Sequence, residues 1–217
     1  MLYSAAAPPA RALTQYLCMV RHGESLWNEE NRFTGWVDVP LTDVGREQAR
    51  AAGRLIRSTG IRFHVAYSSA LSRAVETARI IIAELGYDVP LIVDPRLNER
   101  RYGDLEGLNK DRAAEAFGAE LVRAWRRGFR SRPPGGESLE DVQRRVVPFF
   151  RNAVITDLRE GRNVLLVAHG NTLRAIIAHI DGLSDEQVEN LEVRSAVPIL
   201  YTYDTASGRF VEKKVLG

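Results

Sequence analysis

Cysteine is almost absent from this sequence of 217 residues, where Cys18 stands alone. One thiol cannot close an internal disulfide. A disulfide-stapled secreted scaffold is therefore excluded, and a reducing cytoplasm is the expected location. Long apolar runs are missing too: no stretch approaches the roughly 20 residues that a membrane-spanning helix needs, so no membrane partner is expected. Charge of one sign is equally scarce. Thirty Lys and Arg against 28 Asp and Glu leave a formal net charge of +2, too mild a balance to point to nucleic acid. Nor is there an internal repeat, a metal-ligand spacing or a Gly-rich nucleotide loop, so no metal is expected.

What is present is ordinary in bulk: 45% hydrophobic and 27% charged residues over a length that suits one domain with a full core. The opening Ala- and Pro-containing stretch has no basic start, so residues 1–15 read as a disordered leader and 16–217 as a single domain. Strand and helix signals then alternate, which predicts an α/β fold, a three-layer sandwich with a mostly parallel central sheet flanked by helices. Tyr16–Val20, Phe63–Tyr67, Leu91–Val93, Asn163–Ala168 and Pro198–Tyr203 read as strands, with Arg209–Val215 as an edge strand. Thr42 is placed to cap a helix through Ser58, and Gly86 to end a helix over the apolar series Ala74, Ala78, Ile81 and Leu85. Ser138 and Asp141 form a capping box for a helix toward Asp157, and another helix runs from Thr172 to about Ile180. Between Leu97 and Gly136 the alternation breaks into a long insertion of loops and short helices, the kind of segment that carries function in compact domains.

Two of these strands end on the same chemistry. Arg21-His22-Gly23 and Ala168-His169-Gly170 each put a histidine and a glycine directly after a buried strand. Ligands bind at the carboxyl ends of strands in open α/β sheets, so neighbouring strands would bring the two histidines face to face. A histidine near pH 7 is largely neutral and nucleophilic; the adjacent Arg21 could neutralise an incoming anion, and a glycine lets backbone pass close to a ligand. The competing reading is a histidine that merely ends a strand. Ser69–Ala74 places Arg73 at a helix N-terminus, a ready phosphate site, although a lone arginine is more often a solvated charge. Glu99, in Leu97–Arg100, is a candidate general acid or base, or half of a surface ion pair. His64, His179, the three tryptophans and Cys18 read as structural or packing residues.

The set RHGE at 21–24, SALSRA at 69–74, LNER at 97–100 and AHGN at 168–171, in this order, resembles the histidine phosphatase superfamily. NEENRFTG at 28–35, Tyr102, GLNK at 107–110 and WRR at 125–127 are similar to its 2,3-bisphosphoglycerate-dependent phosphoglycerate mutases. The resemblance covers about Tyr16 to Tyr203. It implies an enzyme of glycolysis and gluconeogenesis that interconverts 3-phosphoglycerate and 2-phosphoglycerate through a phosphohistidine at His22, primed by 2,3-bisphosphoglycerate. It implies Arg21, Arg73 and His169 around the phosphoryl group and Glu99 as proton shuttle. Asn28, Thr34, Gly35, Tyr102, Lys110, Arg126, Arg127, Gly170 and Asn171 are implied to hold a small anionic phosphorylated substrate. A homo-oligomer, dimer or tetramer, is the implied assembly. The link Ser131–Gly136 is short and resembles compact mutases, but GGES also occurs in the phosphatase branch. A broad-specificity phosphomonoester phosphatase is thus the alternative.

Overall fold

The computed structural model describes residues 14–217. Six strands form one sheet: β1 (Thr14–Arg21), β2 (Val65–Ser68), β3 (Leu91–Val93), β4 (Val164–Ala168), β5 (Ile199–Asp204) and β6 (Arg209–Val215), in the spatial order β3-β2-β4-β1-β5-β6. The first four run parallel, while β5 and β6 add an antiparallel flank. β1 and β4 sit at the centre and are apolar on both faces, as a strand covered on both sides must be. Their alternation sorts residues into two cores: Leu17, Met19, Val164 and Leu166 feed one face, and Cys18, Val20, Leu165 and Val167 the other. Cys18 is thus a buried apolar filler, its thiol pushed up by burial.

Helices cover both faces, which completes three layers. α1 (Leu26–Glu29) is a single turn after β1. α2 (Asp43–Ser58) is capped by Thr42, whose side chain accepts from Gly45 N at 2.9 Å. Together with α3 (Ser72–Leu85), ended by Gly86 in the left-handed region, it packs Ala52, Ile56, Ala78, Ile81 and Leu85 onto one face of the sheet. In the insertion, α4 (Lys110–Phe117) and α5 (Ala119–Arg127) close a small core of Phe33, Leu105, Ala113, Val122 and Trp125. α6 (Leu139–Phe149) starts on the Ser138/Asp141 capping box. With α7 (Ile155–Arg159) and α8 (Gly170–Asp181) it covers the other face through Val142, Val146, Phe149, Leu158, Leu173 and Ile176. α9 (Asp185–Asn190) follows α8.

Three expectations need correction. β1 starts at Thr14, because Thr14 and Gln15 already pair with Asp204 and Tyr203; the expected leader therefore loses its last two residues, and residues 1–13 lie outside the described residues. The helix expected to reach Asp157 continues to Arg159 but widens into a π turn over Phe150–Val154, just after Pro148, which has no N–H to give to the preceding turn. Phe63 and His64 precede β2, where His64 exchanges hydrogen bonds with Asn163 in place of a strand partner.

Candidate active site

Strand register creates the centre of the site. β1 and β4 pair in parallel with Arg21 opposite Ala168, and His22 N donates to Ala168 O at 3.0 Å, extending the ladder one residue past the strand. The two histidines that follow must then emerge side by side at the carboxyl edge. Their rings meet edge to face, centroids 5.0 Å apart. His22 Nδ1 is 2.7 Å from Gly23 O and donates to it. That bond fixes the tautomer and leaves Nε2 with its lone pair. Burial, then Arg73, then Arg21 push His22 well below the ordinary histidine range, against a smaller opposing pull from Gly23 O. His169 is lowered for the same reasons, burial first and then Arg73. Both rings are therefore neutral at pH 7. His169 Nε2 lies 2.6 Å from Ser69 Oγ, and its Nδ1 is buried without a partner.

A buried guanidinium, that of Arg73, and a half-buried one, that of Arg21, flank this pair. Arg73 donates to Val37 O and Gly35 O at 2.9 and 2.8 Å. No carboxylate hydrogen-bonds it, and burial lowers it to about 10. Arg21 donates to Val193 O at 2.9 Å, and its Nε is buried with no acceptor. Leaving buried cations without anionic partners is costly, so a cavity that holds several of them is shaped for an anion.

That cavity, of about 270 Å³, brings together Arg21, His22, Asn28, Thr34, Gly35, Arg73, Glu99, Tyr102, Lys110, Arg126, Arg127, Gly170 and Asn171. Every residue expected from the sequence lines it except His169, which is fully buried behind His22. Lys110, at the start of α4, is lowered to about 8 by burial and by Arg126 and Arg21. Arg126 and Arg127 close α5, where cations suit the helix C-terminus, and Arg127 is anchored on Glu189 O at 2.9 Å. Glu99 Oε1 accepts from Arg100 N at 2.7 Å and Asn171 N at 3.2 Å, which leaves Oε2 toward Gly170.

Two glycines play unexpected parts. A Cβ on Gly23 would lie 2.2 Å from Gly45 O, so this glycine exists to let α2 approach and not, as expected, to admit a ligand. A Cβ on Gly170 would sit in ordinary contact, 3.6 Å from Arg21 Nε and 3.8 Å from Glu99 Oε2, so Gly170 is the residue whose missing side chain opens the cradle. The start of α3 also differs from expectation. Ser72 N donates to Asp38 Oδ1 at 2.7 Å and Ala70 N to Asn98 Oδ1 at 3.0 Å. These donors are spent within the protein, and Arg73 alone carries that element's positive charge into the cavity.

Sequence reasoning missed Arg32, Arg174, Glu192 and Val193, all in the cavity wall. Arg174 had a signal: it lies one helical turn after Asn171, whose Oδ1 it contacts at 2.9 Å. Arg32 lies inside the NEENRFTG segment. Glu192 and Val193 arrive from a loop after α9, and nothing local announces them.

A profile of the histidine phosphatase superfamily (branch 1) matches residues 17–215. The chain belongs to this superfamily. Among its relatives, a Gloeobacter violaceus protein named 2,3-bisphosphoglycerate-dependent phosphoglycerate mutase 2 is 51% identical over 89% of this chain and 88% of its own length. A Schizosaccharomyces pombe phosphoglycerate mutase is 43% identical over 94% and 97%. Superfamily structures superpose over nearly the whole fold. A mycobacterial glucosyl-3-phosphoglycerate phosphatase gives a TM-score of 0.78 at 32% identity, covering 93% of this chain and 98% of that one. Phosphoglycerate mutase from Bacillus anthracis gives 0.74 at 26% identity, covering 92% of each.

Proposed function

We propose that this chain is a 2,3-bisphosphoglycerate-dependent phosphoglycerate mutase, exchanging the phosphoryl group between the 3- and 2-hydroxyls of glycerate through His22. One observation carries the reading: a neutral His22, with Nε2 freed by the Gly23 bond, opens on a cavity with a second cationic grip, Lys110, Arg126 and Arg127, on its insertion side. A substrate with two anionic ends fits both grips. The names carried by relatives near 50% identity agree with it.

On this reading His22 Nε2 accepts the phosphoryl group and gives it back. Arg21, Arg73 and His169 stabilise charge on the transferring oxygens, which is most of what phosphoryl transfer asks of a protein. Asn28 and Gly170 N add donors. Glu99 takes the proton of the hydroxyl that gains the group, and returns it to the oxygen that loses one. Lys110, Arg126 and Arg127 hold the far anion, with Thr34, Gly35, Tyr102 and Asn171 around the glycerate body. The orphaned Arg21 Nε and the open face of Gly170 suit 2,3-bisphosphoglycerate, which when bound supplies the phosphoryl group that primes His22. Among the described residues no cluster suited to a metal and no helix long and apolar enough to cross a membrane occurs. The single buried cysteine fits a cytoplasmic site of action.

A phosphomonoester phosphatase is the second reading, favoured by the likeness to the mycobacterial phosphatase and by the short link at 131–136. Phosphorus NMR of the protein with 3-phosphoglycerate and a trace of 2,3-bisphosphoglycerate separates them. Growth of 2-phosphoglycerate to equilibrium with little free phosphate, and silence from His22→Ala, is the expected result. Accumulating phosphate without the isomer would establish the phosphatase.

A further inference from the structure

At the opposite end of the sheet from His22, the β5–β6 hairpin, α8 and the π turn border a second, open-mouthed cavity of about 460 Å³, within the size range of small-molecule sites. We propose that it binds a small aromatic carboxylate or sulfonate of one to three rings. Its walls are apolar and aromatic: Phe150, Tyr203 and Phe210 contribute rings, with Phe150 and Phe210 at 29° to each other and 6.3 Å between centroids. A planar apolar body suits such walls.

Its charge is one-sided. Arg151, Arg159 and Arg209 line it, and no carboxylate does. Arg151 Nε contacts only His179 Nε2, at 3.3 Å, and none of the three arginines has an ion pair among the described residues. The nearby carboxylates are already engaged: Asp181 holds Tyr201 Oη and Lys213, and Asp204 holds the turn through Ala206 N and Ser207. The cavity also contains an unmet donor. Tyr203 is 1% exposed, and its Oη is buried without any hydrogen-bond partner. It faces Gly208, where an added Cβ would stand 3.7 Å from that oxygen. A buried hydroxyl left unbonded costs on the order of 1–3 kcal/mol, and a ligand acceptor would meet it. The widened turn at Phe150–Val154 forms part of the wall, and such turns gather at functional sites.

Two other occupants fit less well. Thr14, where the described residues begin, pairs with Asp204 beside this hairpin. The sequence before Thr14 contains Arg11 and no acidic residue, a composition that a basic rim does not attract. A second copy docking here about a two-fold axis would set arginines against arginines.

Fluorescence titration with 8-anilinonaphthalene-1-sulfonate, in saturating 3-phosphoglycerate to fill the first cavity, tests the proposal. The expected result is one saturable site, at least tenfold weaker for neutral N-phenyl-1-naphthylamine and for the full-length Arg159→Ala/Arg209→Ala protein. Affinity should be restored in Arg159→Lys/Arg209→Lys and weakened three- to tenfold in Tyr203→Phe. The ring resonances of His179 should shift on dye binding, while turnover of all three variants stays at the native level. Dye displaced by 3-phosphoglycerate, no saturable site, or unchanged affinity in the double alanine variant would each overturn it. So would binding that appears only after Leu2→Ser/Tyr3→Ser, which would make the chain's own start the occupant.

Discussion

The two halves of the catalytic cavity are built differently. The half at the sheet edge, with His22, Arg73 and His169 buried and Arg21 and Gly170 half-buried, is held by backbone: Gly23 O holds His22, Gly35 O and Val37 O hold Arg73, and Val193 O holds Arg21. The half on the insertion, with Tyr102, Lys110, Arg126 and Arg127, stands on short helices over a five-residue core. Preorganised donors are what a charge-shifting step needs, whereas a grip that must admit and release an anion needs freedom to move. On the proposed reading, the first half carries the chemistry and the second selects the substrate.

Variants can sharpen or break that contrast. Glu99, which bridges the halves, should give the largest effect. Glu99→Gln keeps the shape but cannot take the proton, so kcat should fall on the order of 10²–10⁴-fold with KM little changed. Phosphoryl transfer from 2,3-bisphosphoglycerate to His22, measured by single-turnover quench, should fall with it, because the departing oxygen takes its proton from Glu99; an undiminished transfer rate would show that Glu99 is not the proton shuttle. Gly170→Ala comes next. Its Cβ meets only ordinary contacts, so thermal melting should be unchanged, yet it fills the cradle and should cost roughly 10²-fold in kcat/KM, as a misplacement of about 1 Å can. A lowered melting temperature would place the loss in folding instead.

On the insertion, Arg126→Ala should raise KM about 10–100-fold, the worth of one charge-assisted contact, with a smaller change in kcat. A kcat loss as large as that of Glu99→Gln would erase the division of labour. The smallest effect is a pH dependence. Lys110 is depressed to about 8, so it is charged below that pH and neutral above it. KM should rise as pH passes upward through about 8, and Lys110→Arg should remove that inflection in initial-rate profiles. For stability the sign is reversed: the unfolded lysine holds its proton to a higher pH, so the cost of the buried charge is present below about 8 and relieved above it.

The sheet-borne half was legible in the sequence because a buried strand ending in His-Gly is a local signal, and parallel strands place such ends together. The juxtaposition of His22 and His169 follows from that logic alone. The insertion-borne half became legible only through resemblance, since nothing local in GLNK or WRR says which way the side chains point. Some features were beyond either route. Glu106 accepts from both Trp36 N and Tyr102 N, at 3.3 and 3.0 Å, and so ties the Thr34–Trp36 loop to the insertion. Its position is set by a tertiary approach so close that a Cβ on Gly35 would lie 2.1 Å from its carboxylate. Gly23 was misread for the same reason: the residue that demands a glycine there, Gly45, comes from another helix. α1 and α9, of four and six residues, are too short for a periodic signal.

The strand order has a consequence during synthesis. β4 lies between β2 and β1, so a chain that has left the ribosome only as far as Arg162 holds two apolar strands with their central partner missing. Every pairing at the heart of the sheet waits for Val164–Ala168, and His22 meets His169 in the same event. Growing chains should then expose sticky strand edges for most of translation and depend on chaperone cover until that segment emerges. On the proposed reading, His22 acquires the environment of a nucleophile only when the fold closes, so a shorter intermediate should transfer no phosphate.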